Sequence, residues 1–523
     1  MDNATLAERL EAFAALLDLN GSGYYTVRAY RRAAELIRAT PADVSELVRA
    51  GRVRELAGIG PGIEARLQEL VETGRLAEVD ELEAQALPEL VGVARLLGLS
   101  AKRMRELGHA LGIRTLDELR QAAAAGTLDT VPGIGPKTAA KIEEGLAGLA
   151  DARPRRGMLL NRARALVGEV AAALGGEPAG DPRRACDLSN RFAVVVPLER
   201  LADAERLPQL VAVLERGEQR LVGVTAEGYP LEVVGATPEG WDAALVRAIG
   251  APDWIAAHPD LSPDELPPPE LRELGAPAPP PDLLELGDVR GDLHVHTTAS
   301  DGKASVEEMG RAAQALGYEY LAICDHTRNV RVVPGLDADD IRRQGEEIAA
   351  ANEALAPFRI LRGSECDILP DGTLDLPDDV LAELDWVQIS LHAGQRRDAR
   401  TLTDAVLEAM RHPAASCLSH PKGRILNHRP ENALELERVF EVALETGVAL
   451  EVNGLPDRLD LAARHVQEAI AAGVSIVCST DAHSVRGLGN MELSVLTARR
   501  GGAPREAVLN TLGLEELLRR RAV

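Results

Sequence analysis

Nine of the chain's eleven histidines fall between residues 294 and 483. Six of them, His294, His296, His326, His392, His420 and His483, stand where an apolar run gives way to polar residues. Asp301, Glu365 and Asp481 stand in the same kind of place. Imidazole and carboxylate together suit Zn²⁺, Mn²⁺ or Fe²⁺ better than Ca²⁺ or thiolate-bound zinc. Nine ligands are too many for one ion, so two or three divalent metals are expected: zinc, manganese or iron. Metal clusters of this kind bind phosphate oxygens and bring the pKa of bound water toward neutrality. His412, His428 and His465 lack this placement and read as ordinary structural or surface residues.

The elements that must position these groups form one repeated pattern. Apolar runs end in polar residues at "DLHVH" (292–296), "YLAICDH" (320–326), "RILRGSECD" (359–367), "WVQISLH" (386–392), "ASCLSHP" (415–421), "VALEVNG" (448–454) and "SIVCSTDAH" (475–483), with helical segments between them. Seven βα units predict a closed parallel barrel whose chemistry lies at the C-terminal strand ends, where residues distant in sequence meet. Period-two geometry puts His294 and His296 on one side of their strand.

A chain of 523 residues exceeds one core, and two to four domains are expected. No apolar run approaches the ~20 residues needed to cross a bilayer, and "MDNATLAERLEAF" is not a secretory signal. Five cysteines without a C-x-x-C pair read as reduced core residues of a cytoplasmic protein without a membrane association. The net charge of −24 argues against nucleic-acid binding by the whole surface but leaves local surfaces open. With four Phe, six Tyr and three Trp there is no platform for stacking single-stranded bases.

The front half supplies such local surfaces. Residues 1–150 are helical in period, and "LAGIGPGIEARLQEL" (56–70) and "VPGIGPKTAAKIEEG" (131–145) both carry G-I-G, then Pro and a helix. This is the helix-hairpin-helix signature, in which a tight glycine turn points free helix N–H groups at a DNA phosphate without reading sequence. Gly58, Gly60, Gly133, Gly135 and Lys137 are the expected DNA contacts. A third candidate, "LGLSAKRMREL" (97–107), has Ser100 where the second glycine belongs, and Lys102, Lys137 and Lys141 lie in or beside these segments. Residues 155–250 mix helix with strand-like runs, and 259–283 read as a proline-rich linker.

H-x-H followed by S-D-G, then D-H, G-x-E-x-D, S-x-H, H-P-x-G-R and T-D-A-H resembles the polymerase-and-histidinol-phosphatase (PHP) domain of metal-dependent phosphoesterases. The resemblance implies one ion on His294, His296, Glu365 and Asp481. It implies a second on Glu365, His392 and His420, and a third on Asp301, His326 and His483. Arg396, Lys422 and Arg424 are candidates for holding the substrate phosphate. Adding the hairpins, "GYYTVRAYRRAA" (23–34) and "PPPELRE" (267–273), the whole chain resembles the bacterial family X DNA polymerases (PolX). That implies an all-α helix-hairpin-helix region (1–85 and a fingers-like 86–153), an α+β nucleotidyltransferase-like palm (154–258), a linker or thumb remnant (259–287), and an α/β PHP barrel, distorted and seven-stranded (288–523).

The palm departs from the family pattern. In "GDPRRACDLSNRFAVVV" (180–196), Asp181 replaces the serine that touches the triphosphate, and the two metal-binding aspartates fall on Arg191 and Ala193. The third carboxylate falls on Pro230, and the thumb is shortened. Nucleotidyl transfer needs two Mg²⁺ held by clustered carboxylates, so a degenerate palm without polymerase activity is expected. Arg66 stands where some relatives carry a Schiff-base lysine, and a guanidinium stays protonated. The expected function is metal-dependent hydrolysis of DNA phosphodiesters or 3′-phosphates in repair by a monomer, with 3′→5′ exonuclease action and abasic-site processing implied by the family. The rivals are an active gap-filling polymerase, a DNA-binding scaffold with structural metals, and a histidinol-phosphatase-like small-molecule phosphatase.

Overall fold

Apolar runs that are buried on both faces make parallel strands only when helices cover the outside, and the C-terminal half meets that condition. Seven strands, β5 (Gly291–Val295), β6 (Tyr320–Ile323), β7 (Arg359–Asp367), β8 (Trp386–Ser390), β9 (Cys417–Leu418), β10 (Ala449–Asn453) and β11 (Ile476–Ser479), lie side by side in chain order. Every neighbouring pair is parallel. The first and last strands meet through the parallel bridge Val295–Ala482, and the His296 N–H donates to the Ala482 carbonyl at 2.9 Å. The seven units read from the sequence are thus a nearly closed barrel. Val387, Ile389, Leu450, Val452, Ile476 and Cys478 pack against helix residues such as Val406, Met410, Val439 and Val466. Tyr320, Ala322, Leu361, Trp386, Cys417, Ala449 and Val477 form a separate cluster with Leu517 of the last helix.

This computed structural model describes all residues except 2, 20–21, 41–42, 57, 80–86, 153–155, 259–265, 274–279, 331–332 and 522–523. The expected boundaries at 85/86 and 153/154, and residues 259–265 and 274–279 of the proline-rich linker, fall outside the described residues. The chain divides into two compact units. One comprises residues 1–155, 170–177 and 190–239, and the other 156–169, 178–189 and 240–523. The stretch expected as a self-contained palm is therefore shared between them. No helix among the described residues is long and apolar enough to cross a membrane.

In the first unit, helices Asn3–Leu19, Tyr24–Ala39, Val44–Arg49 and Pro61–Thr73 enclose Leu10, Phe13, Ile37 and Leu67. A second group, Pro88–Ala94, Ala101–Leu111, Leu116–Ala124 and Pro136–Ala147, surrounds Leu90, Met104, Leu107 and Ile142. That core also takes Val222 and Val224 from a mixed sheet. The sheet includes β1 (Phe192–Pro197), β2 (Leu210–Arg216), β3 (Arg220–Thr225) and β4 (Pro230–Ala236), in the order β1-β4-β3-β2.

The described part of the proline-rich stretch is not a free linker. Prolines stop it from joining a helix or sheet, yet Glu270 and Leu271 are buried, and Arg499 donates to Glu270 at 2.7 Å. Next to them, Glu273 takes Arg500 Nη2 at 2.6 Å and lies 2.6 Å from Arg184 Nε. Arg184 also pairs with Asp181 at 2.5 Å. Burial pushes the Glu273 carboxyl up, but the bond from Arg500 and the charge of Arg184 outweigh it and hold it below the usual range.

Removing one partner of such a buried network leaves an uncompensated charge, which costs about 3–5 kcal/mol. Arg184→Met should therefore lower the unfolding free energy of this unit by about 3 kcal/mol in urea titrations. Because the Glu273 pKa is depressed, its contribution is full above the unfolded value of about 4.3 and fades as pH falls below it. The stability gap between wild type and Glu273→Gln should accordingly shrink from about pH 6 to about pH 3. A gap that is constant across that window contradicts the assignment.

Candidate metal centre and nucleic-acid contacts

All nine strand-end ligands converge on one rim. His294 and His296 leave β5 with their Nε2 atoms 3.2 Å apart, and His296 Nε2 lies 3.1 Å from Asp481 Oδ1. Glu365, at the end of β7, brings Oε2 to 3.5 Å from His294 Nε2 and 2.7 Å from His326 Nδ1. Its Oε1 lies 2.9 Å from His420 Nε2 and 3.4 Å from His392 Nε2. On the outer side, Asp301 is 3.6 Å from His326 and 3.2 Å from His483. Three overlapping groups have ligand atoms close enough for a shared cation: His296/Asp301/His326/His483, His294/His296/Asp481 and His326/Glu365/His392. They differ from the expected partition in that His296 and His326 stand between groups.

His420 and Asp481 have left-handed backbone, with φ of 25° and 52°. L-residues adopt that region at a cost, and such strain persists where surrounding structure overdetermines it. Here it turns the chain sharply after β9 and β11 so that both side chains face the cluster.

The donor set fits divalent metal. His296 Nδ1 is buried without a hydrogen-bond partner, and His326 Nδ1 and Glu365 Oε2 face each other at 2.7 Å without forming a hydrogen bond; a cation would satisfy such acceptors. Burial, together with the neighbouring His326, pushes the His296 imidazole down to about 4, leaving it neutral at pH 7. Burial opposes charge on His294 too, but Glu451, Glu365 and Asp481 outweigh it and hold its pKa well above the usual value. Carboxylates that draw a proton to that site would draw a metal ion equally.

A layer of buried acids orients the ligands, and the strand-end motifs did not single it out. Glu451 Oε1 lies 2.7 Å from His294 Nδ1, and Glu451 Oε2 accepts from the His420 N–H at 2.6 Å and the Ser419 hydroxyl at 3.0 Å. Asp367 holds His392 Nδ1 at 2.6 Å. Asp292 accepts from the N–H groups of His294 and Thr480, both at 3.2 Å. Asp325 accepts from the Thr297 N–H at 2.7 Å and Gln344 at 2.6 Å. Burial pushes the Asp292 carboxyl up to about 7 against the Thr480 hydrogen bonds. For Asp292 and Glu451 the signal was present in the sequence, as single acids inside otherwise apolar strands, while Asp325 and Asp367 stand beside the expected ligands His326 and Glu365.

The basic candidates divide. Arg396, on the loop after His392, is exposed. Lys422, expected as a phosphate ligand, is 6% exposed and donates Nζ to the Leu434 carbonyl at 2.9 Å. Arg424, expected likewise, donates Nε to the Arg458 carbonyl at 2.8 Å and pairs with Asp187 at 2.8 Å. Both side chains are bonded within the protein, Lys422 to a backbone carbonyl and Arg424 to a carbonyl and an acid. His412 and His465 pair with Asp378 and with Glu431 and Glu468, apart from the cluster, and His428 is exposed.

In the first unit the two G-I-G-P turns share one geometry. Gly58 and Gly133 have φ of +110° and +81°, while Gly60 and Gly135 are extended caps of helices Pro61–Thr73 and Pro136–Ala147. Neither cap has a side chain bonded to the helix's first N–H groups. The positive φ of Gly133 is what favours glycine at this turn, and the Arg103 guanidinium lies directly against it. The third candidate has the same shape, with Gly98 at φ +72° and Ser100 as cap. Its hydroxyl accepts the Arg103 N–H at 3.2 Å and so occupies one of those donors. Lys102 and Lys137 are exposed.

The sheet positions matched to polymerase carboxylates hold none. Ala193 on β1 is buried opposite Glu232 on β4, and Pro230 lies opposite Val224. Glu232 is the acid at that place, and it pairs with Arg220, which also takes Glu215 at 2.6 Å. Arg191 directly precedes β1.

Comparison with known proteins agrees with this division. Residues 1–76 match the model of a helix-hairpin-helix domain, 88–147 a SAM-like helix-hairpin-helix tandem, and 292–454 a PHP domain. The chain is 30% identical to "DNA polymerase/3'-5' exonuclease PolX" of Bacillus subtilis, over 99% of each chain. It is 29% identical to a "Probable phosphatase" of Acetivibrio thermocellus, which covers 42% of this chain and 90% of that protein. A "Probable phosphatase" of Syntrophotalea carbinolica is 31% identical over 31% of this chain and 64% of its own length.

Partners that orient a metal-binding histidine are worth roughly 10–100-fold in affinity. Glu451→Gln should therefore weaken Mn²⁺ or Zn²⁺ binding by about that factor in calorimetric titration of the metal-free protein. Unchanged affinity argues that His294 is not a ligand.

Proposed function

The chain belongs to the bacterial PolX family, and from that premise we propose that its barrel hydrolyses DNA phosphodiesters as a 3′→5′ exonuclease in repair. The observation that carries the reading is the convergence of six imidazoles and three carboxylates on one rim, three of whose buried atoms make no hydrogen bond. Two or three divalent cations held there would supply Lewis acidity at a phosphoryl oxygen and a water acidic enough to attack phosphorus at neutral pH. Glu365 and Asp481 bring negative charge to the centre, while Glu451 and Asp367 fix the imidazoles by their Nδ1 atoms. The hairpin turns support a DNA substrate, because uncapped helix N-termini behind a glycine turn suit a backbone phosphate. The printed name of the Bacillus subtilis relative supports the 3′→5′ direction.

We read the mixed sheet as having lost nucleotidyl transfer. That reaction requires clustered carboxylates for two Mg²⁺, and the face in question offers Ala193, Pro230 and a Glu232 neutralised by Arg220. A second reading, a phosphatase acting on small phosphomonoesters, is favoured by the barrel's likeness to proteins named as phosphatases.

His294→Ala with His296→Ala should abolish Mn²⁺-dependent degradation of a 3′-recessed duplex by at least roughly a thousandfold, equal to about 4 kcal/mol of barrier. Gel-shift binding of the same duplex should persist. Primer extension on a gapped template should be absent in wild type with either Mg²⁺ or Mn²⁺. Templated synthesis sinks the view of the sheet, and a wild type that releases phosphate from small monoesters while sparing DNA favours the second reading.

A further inference from the structure

Three guanidiniums stand on loops that follow three consecutive barrel strands. Arg396 comes after His392 and β8, Arg429 after His420 and β9, and Arg458 after Asn453 and β10. The first two of these strands deliver His392 and His420 to the Glu365 side of the metal cluster. Their loops touch: a Cβ on Gly423 would stand 2.7 Å from Gln395 Oε1, and Gln395 is anchored to the Leu391 carbonyl at 2.8 Å. Arg429 donates Nε to the Gly423 carbonyl at 2.8 Å, which leaves the rest of its guanidinium for other partners. Arg458 reaches into the centre itself, its Nε 3.8 Å from Asp481 Oδ2.

Arg429 lies within electrostatic reach of the other two. Burial and the charges of Arg458 and Arg396 together press the Arg429 pKa down, with the buried Asp460 acting the other way. In a chain of net charge −24 acids outnumber bases, and counter-charges are plentiful. Among the described residues, however, no carboxylate lies within ion-pair distance of Arg396 or Arg429, and Arg458 has Asp481 alone. Like charges gathered without counter-charge are costly unless an anion completes them. Guanidinium is also the side chain best shaped for phosphate, gripping two oxygens at once.

We infer that Arg396, Arg429 and Arg458 form a second phosphate subsite beside the metal centre, which takes a phosphodiester flanking the scissile one in a nucleic-acid strand. The inference rests on the hydrolase reading and deepens it. A monoester needs its single phosphate at the cations, whereas a rim that offers a further anion site selects a polyanion. The subsite uses side chains other than Lys422 and Arg424, which bond a backbone carbonyl and Asp187 respectively.

The test uses the full chain with Mn²⁺, comparing oligothymidylate with bis(p-nitrophenyl) phosphate as substrates. Arg396→Gln, Arg429→Gln, Arg458→Gln and the Arg396/Arg429 double variant are assayed at several salt concentrations. The double variant should show a kcat/KM decrease at least roughly ten times larger on the oligonucleotide than on the small diester, chiefly through KM. The slope of log KM against log salt should become shallower by about 0.7 for each phosphate no longer engaged. Fluorescence anisotropy of a labelled trithymidylate in EDTA should show the same weakening of salt dependence, independent of turnover. Equal decreases on both substrates, or an unaltered salt slope in the exposed-residue variant Arg396→Gln, overturn the subsite and leave the nuclease reading standing. A wild type that cleaves the small diester but never the oligonucleotide overturns both.

Discussion

Glu365 faces five imidazoles at once, those of His294, His296, His326, His392 and His420, at distances between 2.7 and 3.6 Å. A carboxylate that is 1% exposed could not remain charged in an apolar interior. Burial does push its pKa up, but the surrounding histidines overcome that and hold it well below the ordinary value. The reciprocal constraint falls on the histidines, which must come from different strands to surround one acid. A barrel whose strand ends share a rim satisfies this, and neighbouring strands of an open sheet do not bring so many elements to one point.

The buried acids behind the rim follow from that requirement. Glu451, Asp367, Asp292 and Asp325 are each at most 1% exposed, yet each accepts hydrogen bonds from a strand end or from an imidazole. Removing them from water is costly, and the donors they collect offset it. What they provide is orientation. A carboxylate on Nδ1 leaves Nε2 pointing inward, so the tautomer and the direction of the lone pair are set before any cation arrives. The strained turns at His420 and Asp481 serve the same placement.

The barrel and its rim were legible from sequence because two signals coincided: apolar runs of strand length, and a polar residue at the end of each. The ligand grouping was less legible, since His296 and His326 bridge groups that spacing alone cannot separate. Lys422 and Arg424 were misread because a basic residue two or four positions beyond a ligand looks the same in sequence whether it points at substrate or at a carbonyl such as that of Leu434 or Arg458. Arg429 and Arg458 were missed for the opposite reason. They follow His420 and Asn453 on loops whose path the sequence does not reveal, and it is the fold that brings Arg458 to Asp481 and Arg429 to the Gly423 carbonyl. The proline-rich stretch misled in a third way, because prolines preclude regular structure without precluding burial, as Glu270 and Leu271 show.

The remnant of the nucleotidyltransferase pattern holds together for a physical reason that differs from catalysis. A Gly-Ser-x-Arg-Arg segment built for a triphosphate concentrates positive charge, and without that ligand the arginines need other anions. Asp181 and Glu273 meet Arg184 at 2.5 and 2.6 Å, and Asp187 meets Arg424 at 2.8 Å. Asp181, which would repel a nucleotide, thus supplies internal neutrality, and Asp187, which precedes β1 by several residues, supports the loop after β9. In the sheet, Arg220 neutralises Glu232 in the same manner. An acid that stays in such a region is stabilised when a fixed cation matches it, as Arg184 matches Asp181 and Arg220 matches Glu232. The acids of this segment and of the sheet are thus matched by fixed guanidiniums, whereas the barrel matches its acids chiefly with imidazoles, groups that can give up a proton where a metal ion binds.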